Sequence, residues 1–246
     1  MKTSDTKAAL LVGGLGTRLR TVIPSMPKPL APVGNRPFLE LLVRQLVGQG
    51  IRRLIMCTGY LAEQIEGEFG DGSDLGATIE YSREPHPLGT AGALKFAQGF
   101  LQGAPEFLVM NGDSFLELDL CEFMGFHHTH GGLATLAVVR VENAGRYGTV
   151  RTDSSNRVTE FVEKTGDASP GLINAGVYVF SPAVLERIPA GPVSLERDVF
   201  PQLLDQGVYA ARQQGVFIDI GTPADYTHAQ NLFDRLRRAT RQATVS

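Results

Sequence analysis

The run Ala8-Ala9-Leu10-Leu11-Val12-Gly13-Gly14-Leu15-Gly16-Thr17-Arg18-Leu19 passes from five apolar residues into a loop of glycines. Five apolar residues suffice for one buried strand. Glycine lets backbone N–H groups approach a ligand and tolerates positive φ. Such a nest of amides, with Arg18 and then Lys28 in Pro27-Lys28-Pro29 close by, is a natural cradle for a polyphosphate. The plainer meaning is a glycine-rich turn between strand and helix. The pattern lacks the last glycine of the dinucleotide fingerprint, and no Gly-Lys-Ser/Thr follows at P-loop spacing. A nucleotide-dependent dehydrogenase is therefore disfavoured.

With 246 residues, 43% hydrophobic and 20% charged, the chain has the composition of a globular α/β protein large enough for a well-filled core. A net charge of -3 gives no support to nucleic-acid binding. The late basic residues Arg235, Arg237, Arg238 and Arg241 read as a solvated face. No stretch has the length of a membrane span, and the apolar start is too short for a secretory signal, so a cytoplasmic location without membrane contact is expected. Cys57 reads as a small buried strand residue, and no Cys/His pair has zinc spacing. His127, His128 and His130 read as an exposed structural segment and His228 as a surface helix residue.

Strand and helix patterns alternate through the first half, which predicts a mostly parallel sheet with helices on both faces. Strands are expected at 53–57, 77–81 and 107–110, and helices at 60–69 and 89–101. A further helix should start at Pro37 and bury Phe38, Leu39, Leu42, Val43, Leu46 and Val47, with Gly50 as its stop. After His130 the segments 133–141, 147–152, 157–162 and 173–180 predict added antiparallel strands. Strands at 208–212 and 216–218 lie between helices at 197–206 and 223–238. Neither linker nor repeat divides the chain.

Ligands in open α/β sheets bind beyond the carboxyl ends of the strands. Three polar features fall at expected strand ends: the glycine loop, Asp113 and Asp219. An aspartate there is commonly a turn former or helix cap. Two aspartates beside a phosphate cradle suit Mg²⁺, which takes one or two carboxylates together with substrate phosphates. Thr90, opening a helix after Leu88-Gly89, reads as an ordinary N-cap or as a donor to a ligand.

These motifs resemble those of the sugar-1-phosphate nucleotidyltransferases, whose signature Gly-Gly-x-Gly-Thr-Arg-Leu then Pro-Lys-Pro matches Gly13–Leu19 and Pro27-Lys28-Pro29. The resemblance runs from Ala8 to about Gln230. It implies a Rossmann-like nucleotidyltransferase fold in one domain over 1–246, with a nucleotide half of about 1–130 and a sugar half of about 131–246. It also implies Mg²⁺ on Asp113 of Asn111-Gly112-Asp113 and on Asp219 before Gly221-Thr222-Pro223, and nucleotide phosphates on Arg18 and Lys28. The nucleotide site would comprise Leu11, Gly13, Gly14, Gly16, Thr17, Arg18, Lys28, Asn111, Gly112 and the base loop Leu88-Gly89-Thr90. The sugar-phosphate site would comprise Gly148, Glu163, Lys164, Asn174 and Glu196. From their types alone, Glu163-Lys164 would equally make a solvated turn, and Glu196 a capping box with Ser194.

The implied reaction is transfer of a nucleotidyl group from a nucleoside triphosphate to a sugar 1-phosphate, with Arg18, Lys28 and Asp113 in the catalytic roles. Arg146-Tyr147-Gly148-Thr149-Val150, Pro37-Phe38-Leu39-Glu40 and Gly171-Leu172-Ile173-Asn174 look most like the D-glycero-D-manno-heptose 1-phosphate guanylyltransferases, so GTP and that heptose are expected. Mannose-1-phosphate guanylyltransferases and uridylyl- or thymidylyltransferases share almost every motif. The chain departs from the many members with a proline soon after Arg-Leu: it reads Arg20-Thr21-Val22-Ile23-Pro24. An inactive regulatory relative should have lost charged members of the site, and Arg18, Lys28, Asp113, Lys164 and Asp219 are all present. A homo-oligomer is compatible with the sequence, though no motif calls for one.

Overall fold

The computed structural model describes residues 6–19, 21–162 and 169–235. Glu163, Lys164 and the arginines beyond Arg235 therefore lie outside the described residues. Strand β1 (Lys7–Leu11) leads through the glycine loop to the short hairpin β2 (Pro32–Val33) and β3 (Arg36–Pro37). Then come α1 (Phe38–Gly48), β4 (Arg53–Thr58), α2 (Ala62–Phe69), β5 (Thr78–Arg83), α3 (Gly89–Phe96), α4 (Gln98–Leu101) and β6 (Phe107–Asn111). The second half holds β7 (Ser114–Leu116), α5 (Leu120–His130), β8 (Ala134–Val141), β9 (Thr149–Thr152), β10 (Val158–Val162) and β11 (Gly171–Phe180). It closes with α6 (Val184–Arg187), α7 (Phe200–Leu203), β12 (Val208–Gln213), β13 (Phe217–Asp219) and α8 (Pro223–Asn231).

Among the described residues, nine strands share one sheet, in which β6, β1, β4 and the edge strand β5 run parallel and β11 lies antiparallel beside β6. Strands β8 and β9 join β11 antiparallel, β10 joins β9, and β12 runs parallel to β8. The class is a mixed α/β fold, mostly parallel at its centre and flanked by helices, with added antiparallel strands. The inner strands β1, β4 and β6 carry near-continuous apolar runs because both faces are covered, whereas β5 at the edge alternates buried and exposed residues. In β1, Ala8 and Leu10 face one core with Leu39, Leu42 and Phe123, while Ala9 faces the other with Leu94, Phe180 and Phe200. Among the described residues no helix is long and apolar enough to cross a membrane.

Several expected elements come out differently. Pro37 precedes α1 as its N-cap and pairs with Pro32, because its extended backbone suits a strand end. The helix expected at 89–101 breaks at Ala97 into α3 and α4. The stretch expected as a helix at 197–206 is a wide turn (Leu195–Val199), α7 and a tight turn. The histidines belong to α5, and of the three expected to be exposed His128 is exposed, His130 is half-buried and His127 is buried. His127 is buried, its Nδ1 lying 2.9 Å from Thr135 Oγ1, and His128 pairs with the buried Glu106 at 2.6 Å. His130 stacks on Phe126. The inward face of α5 buries the residue that occupies it, and His127 finds a polar partner there.

Candidate active site

The carboxyl ends of β1, β4, β5 and β6 open onto a cleft of ≈ 370 Å³. The glycine loop forms its floor. The loop is pinned at its root, where Val12 N donates to Cys57 O (3.0 Å), Gly112 N to Leu11 O (3.0 Å) and Tyr60 N to Gly13 O (3.3 Å). Gly16 takes φ +58, and a Cβ there would lie 3.0 Å from that of Lys28, so the loop folds flat against the Pro-Lys-Pro turn. Leu11, Gly13, Gly14, Gly16, Thr17, Arg18 and Lys28 all line this cleft, as do Gly89, Thr90, Asn111 and Asp113.

Two expected members do not. Leu88 is buried, and its carbonyl accepts from Val193 N at 2.8 Å. Gly112 is a packing residue, since a Cβ there would come within 2.5 Å of Val12 Cγ1. Thr90 is not a cap either: α3 has Leu88 at that position, without a side-chain bond. The Thr90 hydroxyl instead donates to Glu196 Oε2 (3.0 Å) and accepts from Leu195 N (2.8 Å).

One further cleft residue belongs to none of the expected sets. Glu84, just past β5, sends its carboxylate between Gly13 and Gly59, where added Cβ atoms would stand 2.9 and 2.6 Å from Oε1. Its Oε2 accepts from Leu88 N at 3.2 Å. Burial pushes its carboxyl up, against the Leu88 amide and His86. Its position after a parallel strand was the available signal. Cys57 also lines this cleft, and burial, with Glu84, pushes its thiol up to about 12.

A second cleft, of ≈ 590 Å³, lies on the side of the added strands and shares Asn111 and Asp113 with the first. Gly148, Asn174 and Glu196 line it together with Tyr147, Thr149, Ser194, Arg197 and Asp219. Phe161 and Val162, which lead up to Glu163 in sequence, line it too. Glu196 is held by three hydroxyls: Thr90, Ser194 (2.9 Å) and Tyr178 (3.2 Å), the last also accepting from Asn174 Nδ2 (2.8 Å). Ser194 also caps the wide turn, accepting from Arg197 N at 3.3 Å, so the capping and lining roles coexist. Tyr178 was missed, although a tyrosine in an apolar strand needs a partner for its hydroxyl.

Asp113 and Asp219 meet at the junction, but by a route the strand-end rule does not describe. Asp219 lies on β13, which leaves the main sheet and pairs antiparallel with β7, setting Asp219 opposite Ser114. Ile220 N donates to Asp113 O at 3.0 Å, and the Gly221 amide donates to Asp219 Oδ1. Burial pushes the Asp219 carboxyl up, as does the nearby Asp113. Lys28 Nζ lies 2.7 Å from Asp113 Oδ2. Among the described residues no group of three or more His, Cys, Asp or Glu side chains converges as a metal cage. Two hard carboxylates on adjoining segments are nonetheless the set used by a divalent ion that shares its shell with phosphates.

This geometry defines an α/β protein with a glycine loop at the carboxyl ends of its parallel strands and paired clefts meeting at a carboxylate. The model of the nucleotidyl transferase family matches residues 7–235, and the chain belongs to that family. A mannose-1-phosphate guanylyltransferase of Mycobacterium tuberculosis is 43% identical over 230 residues, covering 92% of this chain and 64% of that protein. The catalytic subunit beta of a mannose-1-phosphate guanylyltransferase of Drosophila pseudoobscura is 40% identical over 94% of this chain and 63% of its own length. The chain thus spans less than two thirds of these curated relatives. The crystal structure of HddC from Yersinia pseudotuberculosis complexed with GMP-PN superposes with a TM-score of 0.83 at 34% identity, over 93% of this chain and 99% of that one.

Proposed function

We propose that the chain transfers a guanylyl group from GTP to a sugar 1-phosphate and releases pyrophosphate. The observation that carries this is the pair of clefts sharing Asn111 and Asp113, one floored by amides and cations, the other walled by hydroxyl, amide and carboxylate groups. The names of the relatives support the reaction class.

Guanine is supported by Glu84. A carboxylate only accepts hydrogen bonds, and an anion is ill placed beside phosphates, so it suits the base end of the cleft. Guanine offers two adjacent donors on one edge, N1–H and the N2 amino group. Adenine and cytosine pair one donor with an acceptor, and uracil flanks its donor with two carbonyls. That HddC has been crystallised with GMP-PN agrees. For the sugar, D-glycero-D-manno-heptose 1-phosphate is the first reading, on the motifs of the sugar half. Mannose 1-phosphate is the second, carried by the 43% identity to an enzyme named for it. A cytoplasmic site of action accords with GTP as substrate.

In this reading a phosphate oxygen of the sugar phosphate attacks the α-phosphorus of GTP. The bond from that phosphorus to the bridging oxygen breaks, and the electron pair leaves with pyrophosphate. The nucleophile is already an anion, so no general base is required. Positioning and charge neutralisation do the work. Arg18, Lys28 and the loop amides hold the triphosphate, Glu163 receives sugar hydroxyls, and Lys164 receives the sugar phosphate. Asp113 and Asp219 would hold Mg²⁺, which supplies Lewis-acid neutralisation of phosphate charge. Pyrophosphate release measured with four nucleoside triphosphates against heptose, mannose and glucose 1-phosphates tests the reading. Turnover with GTP and one of the first two sugars is expected; turnover with UTP or dTTP alone would overturn the base, and silence throughout would overturn the activity.

A further inference from the structure

The wall of the sugar cleft at Tyr147-Gly148 lies on the loop between β8 and β9, where a ligand-contacting segment needs an external support. The structure supplies one. Arg146 Nη1 donates to Asp225 Oδ1 at 2.8 Å, and its Nη2 lies 2.7 Å from Asp225 Oδ2, a two-pronged pair across 79 positions of sequence. The same Nη2 donates to the Tyr147 hydroxyl at 2.9 Å, with the guanidinium carbon 5.1 Å from that ring's centre. Tyr147 in turn meets Phe217 of β13 edge-on.

Asp225 is itself held on the other side. Thr222 Oγ1 donates to Asp225 Oδ2 at 2.5 Å and, as the cap of α8, accepts from Asp225 N. Burial alone would raise the Asp225 carboxyl, but the bonds from Arg146 and Thr222 outweigh it and hold it below the ordinary value. Thr222 stands three residues after Asp219, on the segment tied to Asp113 through Ile220. Arg146 Nη2 is also 4.0 Å from Asp219 Oδ2. An unbroken series of bonds therefore runs from the paired aspartates, through the first turn of α8 and Arg146, to the sugar wall.

We propose that Arg146 and Asp225 are positioning residues for the sugar 1-phosphate, fixing the distance between the Tyr147-Gly148 wall and the aspartates at the cleft junction. The inference rests on the reading of the second cleft as the sugar-phosphate site. The pair is well formed but partly exposed, with side chains 43% and 20% accessible, so its contribution to global stability is small. Its effect belongs in the placement of one substrate, because small misplacements cost rate steeply.

The test compares Arg146→Gln, Asp225→Asn and the charge-exchanged pair Arg146→Asp with Asp225→Arg. Each single variant should raise KM for the sugar 1-phosphate by about tenfold or more and leave KM for GTP within about twofold, with the exchanged pair recovering most of the loss. A rise in Arg146→Gln alone, with Asp225→Asn spared, would mean that Arg146 binds phosphate itself and would overturn the proposal. An equal rise in both KM values, or a lower Tm with unchanged KM, would overturn it as well. Hydrogen exchange needs no turnover: in Asp225→Asn, residues 144–152 should exchange faster while residues 11–19 do not. Unchanged exchange there would sink the proposal even if the wild type used no sugar phosphate, an outcome that separately would refute the assigned activity.

Discussion

Glu84 is the side chain on which the proposal of guanine rests, in a cleft lined by loop backbone and by Arg18, Lys28, Thr90, Asn111 and Asp113. Its carboxylate is wedged against Gly13 and Gly59, so its own position is fixed by the loop it serves. Replacing it with Gln keeps the shape and turns one acceptor into a donor. The Glu84→Gln variant should lose roughly 10- to 100-fold in kcat/KM for GTP, the worth of a two-point base contact, with a far smaller loss for other triphosphates. A uniform loss across all four nucleotides would return Glu84 to a structural role. Asp113→Asn should lower kcat on the order of 100-fold or more at unchanged Tm. Residues with a charge in a tight local pattern, such as Arg18, Lys28 and Asp113, were legible in the sequence. Glu84 was legible only as a residue after a strand, because nothing local says that its carboxylate will fold over Gly13, 71 residues earlier.

At the scale of elements, α3 ties the first cleft to the second through the Thr90–Glu196 bond. Its first turn is stitched to residues 191–195: Val193 O accepts from Ala91 N (3.0 Å) and Gly92 N (3.1 Å). A Cβ on Gly92 would stand 2.3 Å from Gly191 O, closer than atoms can approach. Gly92→Ala must therefore push α3 off this segment, at a cost of about 1–3 kcal/mol, and should weaken nucleotide and sugar phosphate together. Equilibrium denaturation with both KM values checks this; a neutral outcome would show that the stitch is loose. The hydrophobic runs made β1, β4, β6, β8 and β11 legible, since central strands cannot hide polar residues. The β7–β13 ribbon and the break at Ala97 were not: the first is a three-residue pairing across a hundred positions, and the second follows no Gly or Pro signal.

Across the whole molecule, the two cores on either face of the sheet explain both stability and placement of the site. The parallel strands deliver the glycine loop, Glu84 and Asn111 to one end of the sheet, and the antiparallel strands carry the Tyr147-Gly148 wall of the second cleft to the same end. The opposite end of the sheet holds His127, whose ring burial, with His128 beside it, depresses to a pKa of about 4. The unfolded chain takes up this proton near pH 6.5, so stability should be level above that pH. It should then fall by up to about 3 kcal/mol as pH drops to about 4, because only the unfolded state is protonated in that window. Denaturation midpoints should show this slope in the wild type and a shallower one in His127→Gln; equal slopes would place the proton elsewhere. Alternation of strands and helices made this architecture legible from the start, whereas the junction of the clefts depends on contacts between distant segments. The central claim is that the junction unites a guanylyl group with a sugar phosphate. Its most direct test follows the label from α-³²P GTP mixed with Mg²⁺ and heptose or mannose 1-phosphate. Label in a sugar nucleotide, formed only when the sugar phosphate is present, is the predicted result; label remaining in GTP or appearing in GMP alone would contradict it.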